Sequence, residues 1–117
     1  MQVTGSGFGY VTGQGGAVTQ ATSKSTGVTL SKVCGEITMN AAALASGGII
    51  SFTCTNTTAD PQDGVIVNHV SGGTLAAYNI NARAGTNQII FDVRNNTGGS
   101  LSEAIVLRFV IIKAVNA

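Results

Sequence analysis

Polarity alternates residue by residue over short stretches of this chain, and a period of two limits those stretches to strands. In "IISFTCTN", Ile50, Phe52 and Cys54 fall on one face and Ser51, Thr53 and Thr55 on the other. "QIIFDVRN" repeats the arrangement, with Ile89, Phe91 and Val93 opposite Asp92 and Arg94. In "VCGEITM", Val33, Ile37 and Met39 share a face. Further strands are predicted in "AVTQAT", "GVTL", "VIVNHV", "AAYNINA" and "AIVLRFVIIKAV". Between them lie "TTADPQDG", "SGG" and "NNTGGS", with Pro61 and Gly64 where a loop accepts them. Short strands separated by turn clusters every roughly 8 to 15 residues predict an all-β fold, an antiparallel sandwich or barrel of which a jelly roll is one form. No strand–helix alternation suggests a parallel sheet. "NAAALASGG" has Asn40 as an N-cap and Gly47 as a stop, leaving room for at most one short helical turn.

The last strand bears on association. Ile105, Leu107, Phe109 and Ile111 should face the core, which leaves Val106, Arg108, Val110 and Ile112 on the other side. A sheet facing water on one side would be polar there. Either a second layer or another subunit covers this face. Composition favours a subunit: 44% of the 117 residues are apolar and only 9% are charged, against about 25% charged in an average soluble domain. Such a chain hides surface against neighbours, and closed symmetry is the usual way. Val106, Arg108, Val110 and Ile112 are therefore the candidate subunit interface.

Near the front stands "GSGFGYVTGQGG". A dinucleotide-binding loop needs a strand before its glycines and a helix after them, to bring a helix N-terminus to the phosphates. Here only "MQVT" precedes, "AVTQATS" follows, and no Gly-Lys-Ser or Gly-Lys-Thr is present. Glycine instead lets a segment bend freely and lie close to another backbone. Residues 1–16 thus form a glycine-rich arm and 17–117 a single β domain.

Six Lys and Arg oppose five Asp and Glu, and the positives are scattered singly. No run of them could neutralise several phosphates, so nucleic acid is not an expected partner. No window reaches the length of about 18 apolar residues that a membrane span needs, and the N-terminus lacks the basic-then-apolar order of a signal peptide. Synthesis in the cytoplasm is expected, and there Cys34 and Cys54, the only cysteines, should stay reduced. Cys54 reads as a small core residue, and neither cysteine has a metal-ligand spacing.

The remaining chemistry-bearing residues read as structural. His69, the only histidine, sits inside a strand with no neighbouring nucleophile, and spacing supplies nothing to orient its ring. Asp60 and Asp63 flank Pro61 in a turn too poor in oxygen ligands for calcium. Asp92 and Arg94 should reach cross-strand or intersubunit partners. Glu36 and Glu103 could pair as glycosidase carboxylates only if the fold joined them. Asn56-Thr57-Thr58 and Asn95-Asn96-Thr97 match the glycosylation pattern, which is void without secretion. Phe52, Phe91 and Phe109 fall on core faces, so only Phe8 and Tyr10 of the arm are candidate sugar platforms. A glycan partner is left open without support.

"GFGYVTGQGGAVTQATSKSTGVTLSKVCGEITMNAAALASG" and "VRNNTGGSLSEAIVLRFVIIKAVNA" resemble a family of short virion proteins and fibre-like terminal modules of tailed bacteriophages. The likeness runs from Gly7 to Ala117 and is looser over "TTADPQDGVIVNHVSGGTLAAYNINARAG". It implies no enzyme, no cofactor and no catalytic residue. With no shaft and no coiled-coil heptads, it implies a capsid decoration protein of the virion, assembled in the host cytoplasm. Such a protein bridges subunits of the major capsid protein as a symmetric homo-oligomer, with a trimer favoured, through many weak contacts that add. The arm, with Phe8, Tyr10, Gly13 and Gly15, would supply latching contacts to the shell. The alternative is a tail-fibre or head-fibre module that recognises a host glycan or protein. A polysaccharide hydrolase would need two carboxylates about 5–10 Å apart in a groove.

Overall fold

Each alternating stretch forms a strand with one apolar face turned inward. A computed structural model describes the backbone of residues 2–4 and all of residues 7–117. The strands are β1 (Gln2–Thr4), β2 (Gly7–Gly9), β3 (Gly15–Thr19), β4 (Val28–Thr29), β5 (Cys34–Thr38), β6 (Ile49–Thr55), β7 (Gly64–Ser71), β8 (Tyr78–Gly85), β9 (Gln88–Asn95) and β10 (Val106–Ile112). They make two four-stranded sheets, β3-β5-β10-β7 and β4-β6-β9-β8, packed as a sandwich, while β1 and β2 form a two-stranded pair of their own. Among the described residues there is no helix, so none that is long and apolar enough to cross a membrane.

The sandwich matches the periodicity, but its sheets are mixed rather than purely antiparallel. β10 runs antiparallel to β5 and β7, and β9 to β6 and β8. The edge pairs β3–β5 and β4–β6 are parallel. Parallel neighbours need a crossover, which is usually a helix. Here the chain crosses instead through the opposite sheet, β3 to β5 by way of β4 and β4 to β6 by way of β5. A crossover made of a strand leaves no helical signal in the sequence.

Residues 40–48 form no helical turn. The Asn40 side chain accepts a hydrogen bond from the Ala42 amide at 2.8 Å, Gly47 turns the chain at φ +71°, and Leu44 exchanges two backbone bonds with Leu101 at 2.8 and 3.0 Å. One helical turn fixes several dihedrals for one bond. Pairing with Leu101, which seats Leu44 in the core, is the better use of this backbone.

Between the sheets, Ile37, Leu107, Phe109 and Ile111 meet Cys54, Ile89, Phe91 and Val93, all fully buried. Phe52 stacks on Phe91 with ring centroids 5.1 Å apart, and Phe91 meets Phe109 of the other sheet edge-on at 6.0 Å. Burying such rings contributes about 1.5–3 kcal/mol each, with a further ~1 kcal/mol from aromatic geometry.

The two Asn-x-Thr sites close the ends of β6 and β9. Asn56 accepts from the Thr58 amide and hydroxyl at 3.0 and 2.7 Å and donates to the Lys32 carbonyl at 2.7 Å. Asn95 accepts from the Thr97 amide and hydroxyl at 2.9 and 2.7 Å and donates to the Leu44 and Gly99 carbonyls, each at 2.9 Å. Both asparagines are fully buried. Each ends the same run, Phe52-x-Cys54-x-Asn56-x-Thr58 and Phe91-x-Val93-x-Asn95-x-Thr97. Phe52 faces Phe91 in the antiparallel register, so a local two-fold relates the two runs.

Candidate functional site

Sheet order sets the outer face of β3-β5-β10-β7. Register places Ala17, Glu36, Arg108 and Asn68 in one row and Gly15, Cys34, Val110 and Ile66 in the next. In the first row the Arg108 guanidinium donates through Nε to Glu36 at 3.0 Å and through a second nitrogen to the same carboxylate oxygen. The candidate interface charge is thus paired within its own sheet. The second row is apolar or small. Ile66 there and Ile112 at the strand end are 51% and 46% exposed, while Val106 and Val110 are half-buried.

Residues 8–14 pass over the apolar row as a strap. The Tyr10 hydroxyl donates to the Ile111 carbonyl at 2.5 Å, and the Lys32 ammonium reaches the Gly13 carbonyl at 3.4 Å. A turn closed from the Gln14 amide to the Val11 carbonyl contains Gly13, whose φ of +99° disfavours any residue with a side chain. Phe8 is 69% exposed at the rim. Strap and sheet enclose an open groove of about 850 Å³ with Cys34, Val110, Ile112 and Ile66 on its floor. Its wall is mostly apolar, with Gln14 and Lys113 among its polar members, so it can hold hydrophobic side chains.

The strap is shorter than the arm expected from the glycines. Gly15 opens β3 opposite Cys34, and Gly16 lies opposite Gly35. These two belong to the sheet, so Gly15 lies in β3 rather than in the strap. A methyl at Gly35 would come within 2.6 Å of the Gly16 carbonyl and 2.8 Å of Leu30. The glycines let Leu30 cross the strand pair. Residues 1, 5 and 6 of the expected arm lie outside the described residues.

Comparison with protein-family models, curated proteins and solved structures gives no match for this chain.

His69 is oriented after all, though by backbone. Its Nε2 lies 2.9 Å from the Ser71 carbonyl and 2.6 Å from that of Gly72, so Nε2 carries the proton. The ring meets Tyr78 edge-on at 5.7 Å, and no hydroxyl or thiol of the described residues bonds it. Glu103 accepts from the Thr74 amide at 3.0 Å, the Thr74 hydroxyl at 2.8 Å and the Tyr78 hydroxyl at 2.8 Å. The Thr74 bond foremost holds its carboxyl below the usual carboxylate range. Burial, reinforced by Glu103, pushes the Tyr78 phenol well above its ordinary value. Glu36 and Glu103 thus serve separate clusters, one on the outer sheet face and one beneath the loop after β7.

Asp60 and Asp63 share a lysine: the Lys113 ammonium lies 2.9 Å from Asp60 and 2.7 Å from Asp63, and also donates to the Thr58 carbonyl at 2.9 Å. These bonds, Asp63 first, raise the Lys113 pKa. Among the described residues no group of three or more His, Cys, Asp or Glu could hold a metal ion. Cys54 lies in the core and Cys34 on the groove floor, both free. Burial pushes the Cys54 thiol up to about 11.

Lys24 escapes sequence reading because nothing in its neighbourhood marks it as buried. It is 3% exposed, and its ammonium donates to the carbonyls of Asn40 and Glu103, tying three loops together. Burial lowers its pKa against the pull of Glu103.

Proposed function

We propose that this chain is a structural virion protein of a tailed bacteriophage, a capsid decoration protein that binds the head surface as a symmetric oligomer and stabilises it. The observation that carries the proposal is the apolar row Cys34–Val110–Ile66 with the exposed Ile112 beside it, on an otherwise ordinary sandwich. Contiguous apolar surface of this kind marks an association site. In this role Val106, Val110 and Ile112 contact a second copy, with a trimer favoured, and Phe8 and Tyr10 reach toward the major capsid protein. Many such contacts per particle would resist the pressure of packaged DNA together. The resemblance to short phage virion proteins supports the same reading.

Cryo-EM of intact particles from a host that encodes the chain is the test. Density on the head supports decoration. Density at a tail or head fibre transfers the chain to the receptor-binding alternative, with competition by host surface glycan as the follow-up. A particle without it overturns both. Multi-angle light scattering of the purified protein should return a trimer mass, and a strict monomer at high concentration would remove the oligomer from the proposal.

A further inference from the structure

The strap differs from the rest of the chain in how it is held. Body strands are fixed by ladders and buried side chains, whereas, among the described residues, Phe8 and Gly9 ladder with β1 and residues 10–14 reach the sheet through the Tyr10–Ile111 bond and the longer Lys32–Gly13 contact. On one side the strap begins within β2, whose ladder partner is β1. On the other it turns through Gly13 at φ +99°. A methyl at Gly9 or Gly13 would meet nothing within 4 Å, so the strap is not wedged into packing at either point. Beneath it lie the half-buried Cys34 and Val110.

We infer that residues 8–14 are a releasable cover, clasped by the Tyr10 hydroxyl and hinged at Gly13, that opens and closes over the apolar floor and the Cys34 thiol. Opening breaks the Tyr10–Ile111 and Lys32–Gly13 contacts, at a free-energy cost in the range of local rather than global unfolding. One net hydrogen bond sets the closed fraction within about a factor of two to ten. The closed strap shields Cys34 and Val110 in part, and the open one presents them fully. This device does not depend on the virion reading, because it concerns only how the chain covers its own sheet.

The thiols make it measurable. Cys34 lies under the strap, whereas Cys54 is fully buried with its thiol pushed up to about 11, so Cys54 reports global opening. The native full-length protein is treated with N-ethylmaleimide, and the adduct on each cysteine is followed by mass spectrometry. Tyr10→Phe removes the clasp, and Gly13→Ala disfavours the hinge conformation without a clash. Both variants should speed Cys34 modification about two- to tenfold and leave Cys54 unmodified on that timescale. Equal Cys34 rates in wild type and both variants would overturn the cover. A parallel rise at Cys54 would also overturn it, because the opening would then be global.

Discussion

The two outer faces of the sandwich share one core and differ in how their side chains are satisfied. On the β4-β6-β9-β8 face, Asp92 accepts from the Ser51 hydroxyl and the Arg83 guanidinium, both at 2.5 Å. Asn79 and Asn81 lie exposed beside them, Ile49 is an exposed apolar group, and Ile90 is a half-buried one between Thr53 and Arg83. On the β3-β5-β10-β7 face the polar row closes on itself through Arg108 and Glu36, while the apolar row has only the strap above it. The difference teaches where an outside partner gains most. Paired polar groups are already satisfied, whereas apolar area gains about 25 cal/mol per Å² once covered.

The largest expected effect tests whether the faces stand on one core. Phe91→Ala should cost about 3–5 kcal/mol and melt both faces in a single calorimetric transition. Two transitions would mean that the sheets are independent, and the comparison would fail. Next, Asn95→Ala strands the Thr97, Leu44 and Gly99 partners and should cost about 2–3 kcal/mol in urea unfolding. Asn56→Ala should match it, since the two corners are built alike.

The proposed oligomer then separates the faces directly. If it forms through β10, Val110→Asp should weaken it by about tenfold or more in sedimentation-equilibrium or light-scattering titrations, with Ile49→Asp as the matched change on the polar face, expected to have no effect. Equal losses from both would erase the distinction. The smallest effect is electrostatic. Asp92→Asn should cost at most about 1 kcal/mol because the pair is exposed.

Acid titration sharpens the same point. The Ser51 bond first, with the Arg83 contacts, holds the Asp92 carboxyl low, and Thr74 does so for Glu103. Their stabilisation is present above the ordinary carboxyl pKa of about 4 and is lost as pH falls through the lower folded values. Lys113, raised by Asp63 and Asp60, behaves oppositely, losing its contribution above its ordinary 10.5. Unfolding midpoints measured across pH should fall at both extremes, and Asp92→Asn should flatten the acid limb.

Much of the fold is legible because burial on one face imposes alternation. Phe52, Cys54, Ile89, Phe91, Val93, Leu107 and Phe109 all fall inward as their spacing predicts. The parallel edge pairs are not legible, since a strand in the opposite sheet replaces the helix that normally announces a crossover. Nor is the fate of residues 40–48, where Leu44 finds a partner far away at Leu101. Glycine content blurs the arm boundary: Gly13 serves a turn, but Gly16 and Gly35 serve the approach of Leu30. The outer residues of β10 are readable from parity alone. Their company is not, because Cys34 and Ile66 reach Val110 only through sheet order and register.

From β3 to β8 the chain changes sheet at every step. Neither layer can therefore be completed while the other is missing, and each new strand must wait for pieces already laid on both sides. Loop closure precedes reward at each passage, which places such a topology among slow folders, in roughly the millisecond-to-second range. A fragment ending anywhere before β9 would lack an inner strand of both layers, so a nascent chain has little to gain from folding until its last third has been made.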